Sequence, residues 1–265
     1  MNSISDASSA GKSAASKAGN HPVIEWGARL GYAANGVLHL MLAYLTVQLA
    51  LEAGGKQASQ SGALATLAED PVGQVLLWVI AAGFILLALW QLTELVTQRK
   101  AFDKAKAGGK LVLYSALAWT SFKFASGGRS SSNKQTKDFT VTLMEAPAGQ
   151  FLVGLVGAGI IGIAAYHVYK GWRERFLRDL QEHPGRWAVI AGKVGYISKG
   201  IALGAVGVLF ITAAIHQRAN EVTGLDGALR SLRDLPAGTV ILLCIALGLA
   251  AYGVYSFARA RYARV

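Results

Sequence analysis

The sequence predicts an all-α integral membrane protein: six transmembrane helices, arranged as three parallel two-helix repeats around a pseudo-threefold axis. Three observations carry that expectation. Hydrophobic residues make up 53% of the 265 residues and charged residues only 15%, well below the roughly 25% charge of a soluble domain. Six apolar segments, at 28–50, 72–96, 108–126, 148–170, 194–215 and 238–258, have the length of about 20 residues that crosses a hydrocarbon core about 30 Å thick. The segment "EAPAGQFLVGLVG" before the fourth of these recurs, with its acid, proline and glycine at fixed spacing, as "EDPVGQVLLWVIA" and "DLPAGTVILLCIA".

The elements follow in chain order. Residues 1–24 are rich in Ser, Ala, Gly and Lys. They lack the apolar stretch of a signal peptide and bury too little to offset their ordering entropy, so they read as a disordered cytoplasmic tail, with the first span acting as the insertion signal. Repeat unit 1 occupies 25–100, unit 2 occupies 101–176, and unit 3 occupies 187–265, with a linker at 177–186 containing Pro184 and Gly185. Each unit is a helix, an outer connection with a short amphipathic turn, and a second helix. The third span, 108–126, is the shortest and most polar of the six.

Aligned on their prolines, Leu67, Glu69, Pro71 and Gly73 correspond to Leu143, Glu145, Pro147 and Gly149 and to Leu232, Asp234, Pro236 and Gly238. Twelve residues after each proline stands a glycine (Gly83, Gly159, Gly248), and nineteen after it an aromatic (Trp90, Tyr166, Tyr255). "GALATL" from Gly62 recurs as "GALRSL" from Gly227, and "RLGYAANG" from Arg29 as "KVGYISKG" from Lys193. Two spans per unit give all copies the same membrane orientation, hence a symmetry axis along the membrane normal. Proline suits the first helical turn, an acid favours the positive helix end, and the glycine permits a sharp entry. The motif therefore reads as a start signal for every second helix rather than as a site. The rows Gly154/Ala158/Gly162 and Gly200/Gly204 read as packing seams.

This pattern, GY-x-x-basic-G entering one helix and GAL-x-x-L…P-x-G-[QT] entering the next, resembles a bacterial, largely actinobacterial membrane family of three tandem two-helix units, a domain of unknown function. The resemblance spans roughly residues 25–265. It departs at Asn35, where the family has a basic residue, and weakens in the middle unit. It implies six spans and an inner-membrane location and supplies no catalytic residues.

The net charge of +11 is asymmetric. Seventeen Lys and Arg residues fall on the side of the termini and even connections and seven on the other. The positive-inside rule then places both termini in the cytoplasm and makes the excess a topology signal rather than a nucleic-acid footprint. Ionisable residues within spans are the best pointers to function. Asn35, Lys110 and Lys199 occupy equivalent positions one to two turns into the odd helices, with Arg29, Lys104 and Lys193 six residues before them. Cations near a helix start call for a compensating anion. These six residues form a candidate anion or lipid-headgroup site, and Tyr32 and His39 a candidate intramembrane polar site. His39, His167 and His216 are too staggered in depth to hold a haem or metal, and no cofactor is expected. The one cysteine, Cys244, reads as a small apolar residue. Without an acid pair, a nucleophile with a base, or a metal cluster at productive spacing, an enzyme is the least supported class. The expectation is a non-catalytic membrane component that binds anionic lipids or a membrane-protein partner, and no nucleic acid. The alternative is a small-solute channel or transporter along the axis, marked by a continuous polar lining.

Overall fold

The computed structural model describes residues 22–52, 56–98, 100–222 and 224–263, with side chains from Glu25 onward. Most of the expected tail, with Lys12 and Lys17, lies outside the described residues, as do Arg99 and Arg264. The described residues form nine α-helices and two short 3₁₀ turns, with no strand. Helix α1 is Pro22–Ala50, α2 Gln60–Leu67, α3 Pro71–Thr97, α4 Ala101–Ala125 and α5 Ser132–Glu145. Then come α6 Gly149–Trp172, a 3₁₀ turn Arg175–Asp179, α7 Arg186–His216, a 3₁₀ turn Ala219–Glu221, α8 Gly224–Arg233 and α9 Gly238–Tyr262.

Five of these helices, α1, α3, α6, α7 and α9, are long and apolar enough to cross a membrane. Helix α4 is continuous over 25 residues, but Asp103, Lys104, Lys106, Lys110 and Lys123 leave it short of that apolarity. Its counterpart in the expected architecture is the third span.

The long helices pack in cyclic order. The pairs α3–α4, α6–α7 and α9–α1 each join the second helix of one unit to the first helix of the next. Within unit 1, α1 packs on α3, and within unit 3, α7 packs on α9; α4 and α6 of unit 2 make no comparable contact. The result is a six-helix ring open on one side.

Glycines set the closest approaches. A Cβ on Gly31 would lie 2.6 Å from the Gly83 carbonyl oxygen, and one on Gly36 3.0 Å from that of Gly253. Gly157 and Gly207 oppose each other in the same way, each 3.0 Å from the other's carbonyl oxygen. These are the backbone approaches that small residues allow in lipid. Of the rows expected to be seams, Gly200 is one, against Ala164 and Val168. Gly154 and Gly162 are not: their open faces meet only Ala214 at 3.8 Å and nothing within 4 Å, respectively. The seam on α6 runs instead through Gly157.

The repeated start signal works differently in its three copies. Pro71 is the first residue of α3, as expected. In the other two, Pro147 and Pro236 precede the helix, and Ala148 and Ala237 take left-handed backbone at φ 59° and 61°. The Gly149 and Gly238 amides donate to the Ala146 and Leu235 carbonyls at 2.8 Å. Proline followed by a left-handed residue, closed by that bond, is a type II turn. The glycine is required by proximity: a Cβ on Gly73, Gly149 or Gly238 would fall 1.9–2.4 Å from a carbonyl oxygen of the preceding short helix. Nothing in this turn uses the acid as a hydrogen-bonded cap; Glu69 pairs outward with Lys56 at 2.5 Å.

The short helices α2, α5 and α8 sit over one end of the ring, with α5 touching both α2 and α8. Asp226, 3% exposed, accepts from the Ala58 amide at 2.7 Å, Asn133 Nδ2 at 2.8 Å and Arg230 Nε at 3.0 Å. It thereby ties the short-helix connections of all three units. The repeat-equivalent residues Leu64, Thr140 and Leu229 are all fully buried. This is the cap end. The opposite, basic end receives the start of α1, the end of α9 and the 3₁₀ turn Arg175–Asp179.

A buried basic and tyrosine centre

At the basic end the 3₁₀ turn folds under the ring. Phe176 is fully buried, stacks on Tyr196 at 5.4 Å and meets Tyr255 edge-on at 5.1 Å. Leu180 pairs with Ala263 in an isolated antiparallel bridge, and the Gln181 amide donates to the Tyr262 carbonyl at 2.8 Å. These contacts carry Asp179 up against the ring interior.

Inside stands a concentration of cations. Lys170 of α6, 8% exposed, donates to Asp179 Oδ2 at 2.6 Å, and Arg259 of α9 lies 3.8 Å from the same oxygen. Lys199 of α7 rests over the Tyr252 ring at 4.4 Å, Lys170 over Tyr196 at 5.0 Å, and Arg259 over Tyr32 at 4.3 Å. Lys110 of α4 stands in the field of Arg259, Lys170 and Asp179. Neither Lys110 nor Lys199 has an acidic partner within salt-bridge distance among the described residues. Burial alone would raise the Asp179 carboxyl, but Arg259 and Lys170 outweigh it and hold it below the usual carboxylate value. Arg259, Lys170 and Lys110 thus act on Asp179, the one carboxylate here among the described residues, with Lys199 beside them over Tyr252. Desolvated charges of one sign are costly, and ring faces offset only part of that, about 0.5–2 kcal/mol each. One further donor, Arg259 Nε, is buried with no partner.

Of the sequence candidates, Lys110, Lys199, Asn35, Tyr32 and His39 converge on this centre. Asn35 Nδ2 donates to Ser256 Oγ at 3.2 Å, one turn from Tyr252. His39 stacks obliquely on Tyr252 at 4.6 Å, its Nδ1 2.8 Å from the Asn35 carbonyl. The two candidate sites are therefore one. The other three residues lie apart. Arg29 bonds Glu25 at 2.8 Å and the carbonyls of Ala260 and Arg261, closing the end of α9. Lys193 lies 3.4 Å from Glu174 and over Trp172, and Lys104 is exposed at the start of α4.

Sequence reasoning missed Lys170, Arg259 and Asp179. A signal existed for the first two: twenty-three residues after the repeat prolines stand Glu94, Lys170 and Arg259, an ionisable position in all three even helices. Tyr196 is the unit 3 copy of Tyr32. Asp179, in the linker, had no signal of its own.

Fold and centre together define a class: an all-helical membrane protein of three repeated units around a buried basic, tyrosine-lined centre. More narrowly, the chain belongs to the family described as Domain of Unknown Function (DUF1206), which it matches in three tandem copies at residues 30–97, 105–174 and 194–263. It is 31% identical over 255 residues to "Uncharacterized protein YxxB" of Bacillus subtilis (strain 168), covering 91% of this chain and 92% of that one. No solved structure matches it.

Proposed function

We propose that this is a non-catalytic multipass component of the bacterial inner membrane, with six spans and both termini cytoplasmic, whose basic centre holds an anionic group. One observation carries the reading: Lys110, Lys170, Lys199 and Arg259 share a partly enclosed centre whose one carboxylate among the described residues is Asp179. A buried cationic excess left empty is unfavourable, and a phosphate or carboxylate group supplies the missing charge together with acceptors for the lysine, arginine and tyrosine donors. Anionic lipid headgroups are the expected partners at the basic end, where surface cations attract them; a membrane-protein partner is compatible with the same face, and nucleic acid is not proposed.

The cap half of the ring supports binding rather than transport. Leu64, Leu229, Leu242, Ile245 and Leu249 are buried there with almost no exposure, and the buried Thr46 and Ser121 hydroxyls donate to the Leu42 and Leu117 carbonyls of their own helices, at 2.7 Å each, rather than lining a path. The test is equilibrium binding of glycerol phosphate to the detergent-purified protein by calorimetry. Replacing Lys110 and Lys199 together with Leu is expected to weaken binding at least tenfold; unchanged affinity would sink the reading.

A further inference from the structure

We infer that the anionic group is the headgroup of a membrane lipid, which enters sideways between α4 and α6 and lays one acyl chain in the groove left there. The inference rests on the anion-site reading above and adds the ligand's class and route.

Three observations carry it. Both ends of the ring are covered, one by α2, α5 and α8 and the other by the turn holding Phe176. The side is not. In units 1 and 3 the glycine twelve residues after the repeat proline is filled by a neighbouring helix: a Cβ on Gly83 would lie 3.1 Å from Gly31 Cα, and one on Gly248 1.8 Å from Ser198 Oγ. The equivalent Gly159 of α6 has nothing within 4 Å, because α4 does not pack where the repeat would put it. On the α6–α7 side of this opening lies a groove of about 460 Å³ whose inner wall is apolar, through Ile160, Leu203, Val206 and Phe210, and whose cap end is polar, through side chains such as Gln60 and Gln135.

The groove leads to the cations. Lys199 follows Leu203 one helical turn toward the basic end, and His167 follows Ile160 by two, at about 1.5 Å per residue. His167 itself lies 5.9 Å from Tyr196. A soluble anion would satisfy the charges but leave the apolar wall of Ile160, Leu203, Val206 and Phe210 unfilled. A neutral lipid would fill the wall but leave the charges. An anionic lipid does both, so charge complementarity at the foot of the groove identifies the occupant.

The test uses the full chain in neutral detergent and native mass spectrometry, with phosphatidylglycerol, phosphatidylcholine and glycerol phosphate as probes. Gly159→Phe puts a ring into the opening between α4 and α6, the proposed entry to the groove, at a position with open space around it, and an unchanged melting temperature verifies that it folds. Phosphatidylglycerol should be retained at least tenfold over phosphatidylcholine. Gly159→Phe should reduce that retention at least tenfold while leaving glycerol phosphate affinity within twofold. Retention unaffected by Gly159→Phe, equal retention of the two lipids, or a dimer that Gly159→Phe dissociates would each overturn the lateral lipid site, yet leave the anion centre standing if glycerol phosphate still binds. Failure of wild-type protein to bind any of the three probes would overturn both readings.

Discussion

At the scale of single residues, glycine identity separates contact from vacancy. Gly31 is pressed against Leu87 and the Gly83 carbonyl, whereas Gly159 faces open space. Gly31→Ala should therefore lower stability by about 1–3 kcal/mol, the range for overpacking. Gly159→Ala should cost nothing, since alanine is the better helix former. Thermal unfolding in detergent measures both, and equal losses at the two positions would contradict the open side. The sequence displayed Gly83, Gly159 and Gly248 as equivalent, and no pattern in it distinguishes the bare one, because the difference arises from where α4 packs. The same limit applied to the cations. Asn35, Lys110 and Lys199 were legible as a group because the repeat aligns them and because amides and charges inside a span are rare. Arg29 and Lys193 looked equivalent to one another, yet each found its own local acid, which spacing along one helix does not reveal.

Among the elements, the cap rests on α8. Its Asp226 is the common acceptor for a backbone amide before α2, a side chain of α5 and an arginine of its own helix. Asp226→Ala leaves the Ala58 amide and Asn133 without that acceptor in a buried place, a loss of about 1.5–3 kcal/mol by the range for hydrogen bonds to charged groups. Urea or thermal unfolding of the variant against wild type reads this directly; a change under 0.5 kcal/mol would mean that the cap is held by its apolar contacts alone. The long helices were visible in the sequence because apolar runs of spanning length are a strong signal. The short cap helices were visible only as an amphipathic turn, and the turn at Arg175–Asp179 not at all. Its anchors, Phe176 on Tyr196 and Tyr255, join positions far apart in the chain.

On the scale of the whole molecule, threefold repetition and its one failure organise the fold. Each unit lends its second helix to the next unit's first, so the fold is a property of the triplet rather than of any unit alone. Two of the within-unit contacts close and the third stays open. The polar character of α4, which sets it apart from the five apolar helices, belongs to the same departure: Lys110 puts a charge into the ring interior where a packed span would be apolar. Repeat number and helix order were legible from the spacing of proline and glycine. The open side was not, because the middle unit's degeneracy in sequence does not say which contact is lost.

In the proposed anion site, Asp179 is the resident counter-ion of Lys170 and Arg259. Asp179→Asn tests it most directly, because it removes one negative charge from Lys170 and Arg259 and changes little else in shape. Glycerol phosphate affinity, measured by calorimetry on folded protein, should rise about tenfold, the equivalent of about 1.4 kcal/mol. Affinity that is unchanged or weaker in Asp179→Asn would overturn the proposed anion site and leave the basic centre as an internal ion pair serving the fold alone.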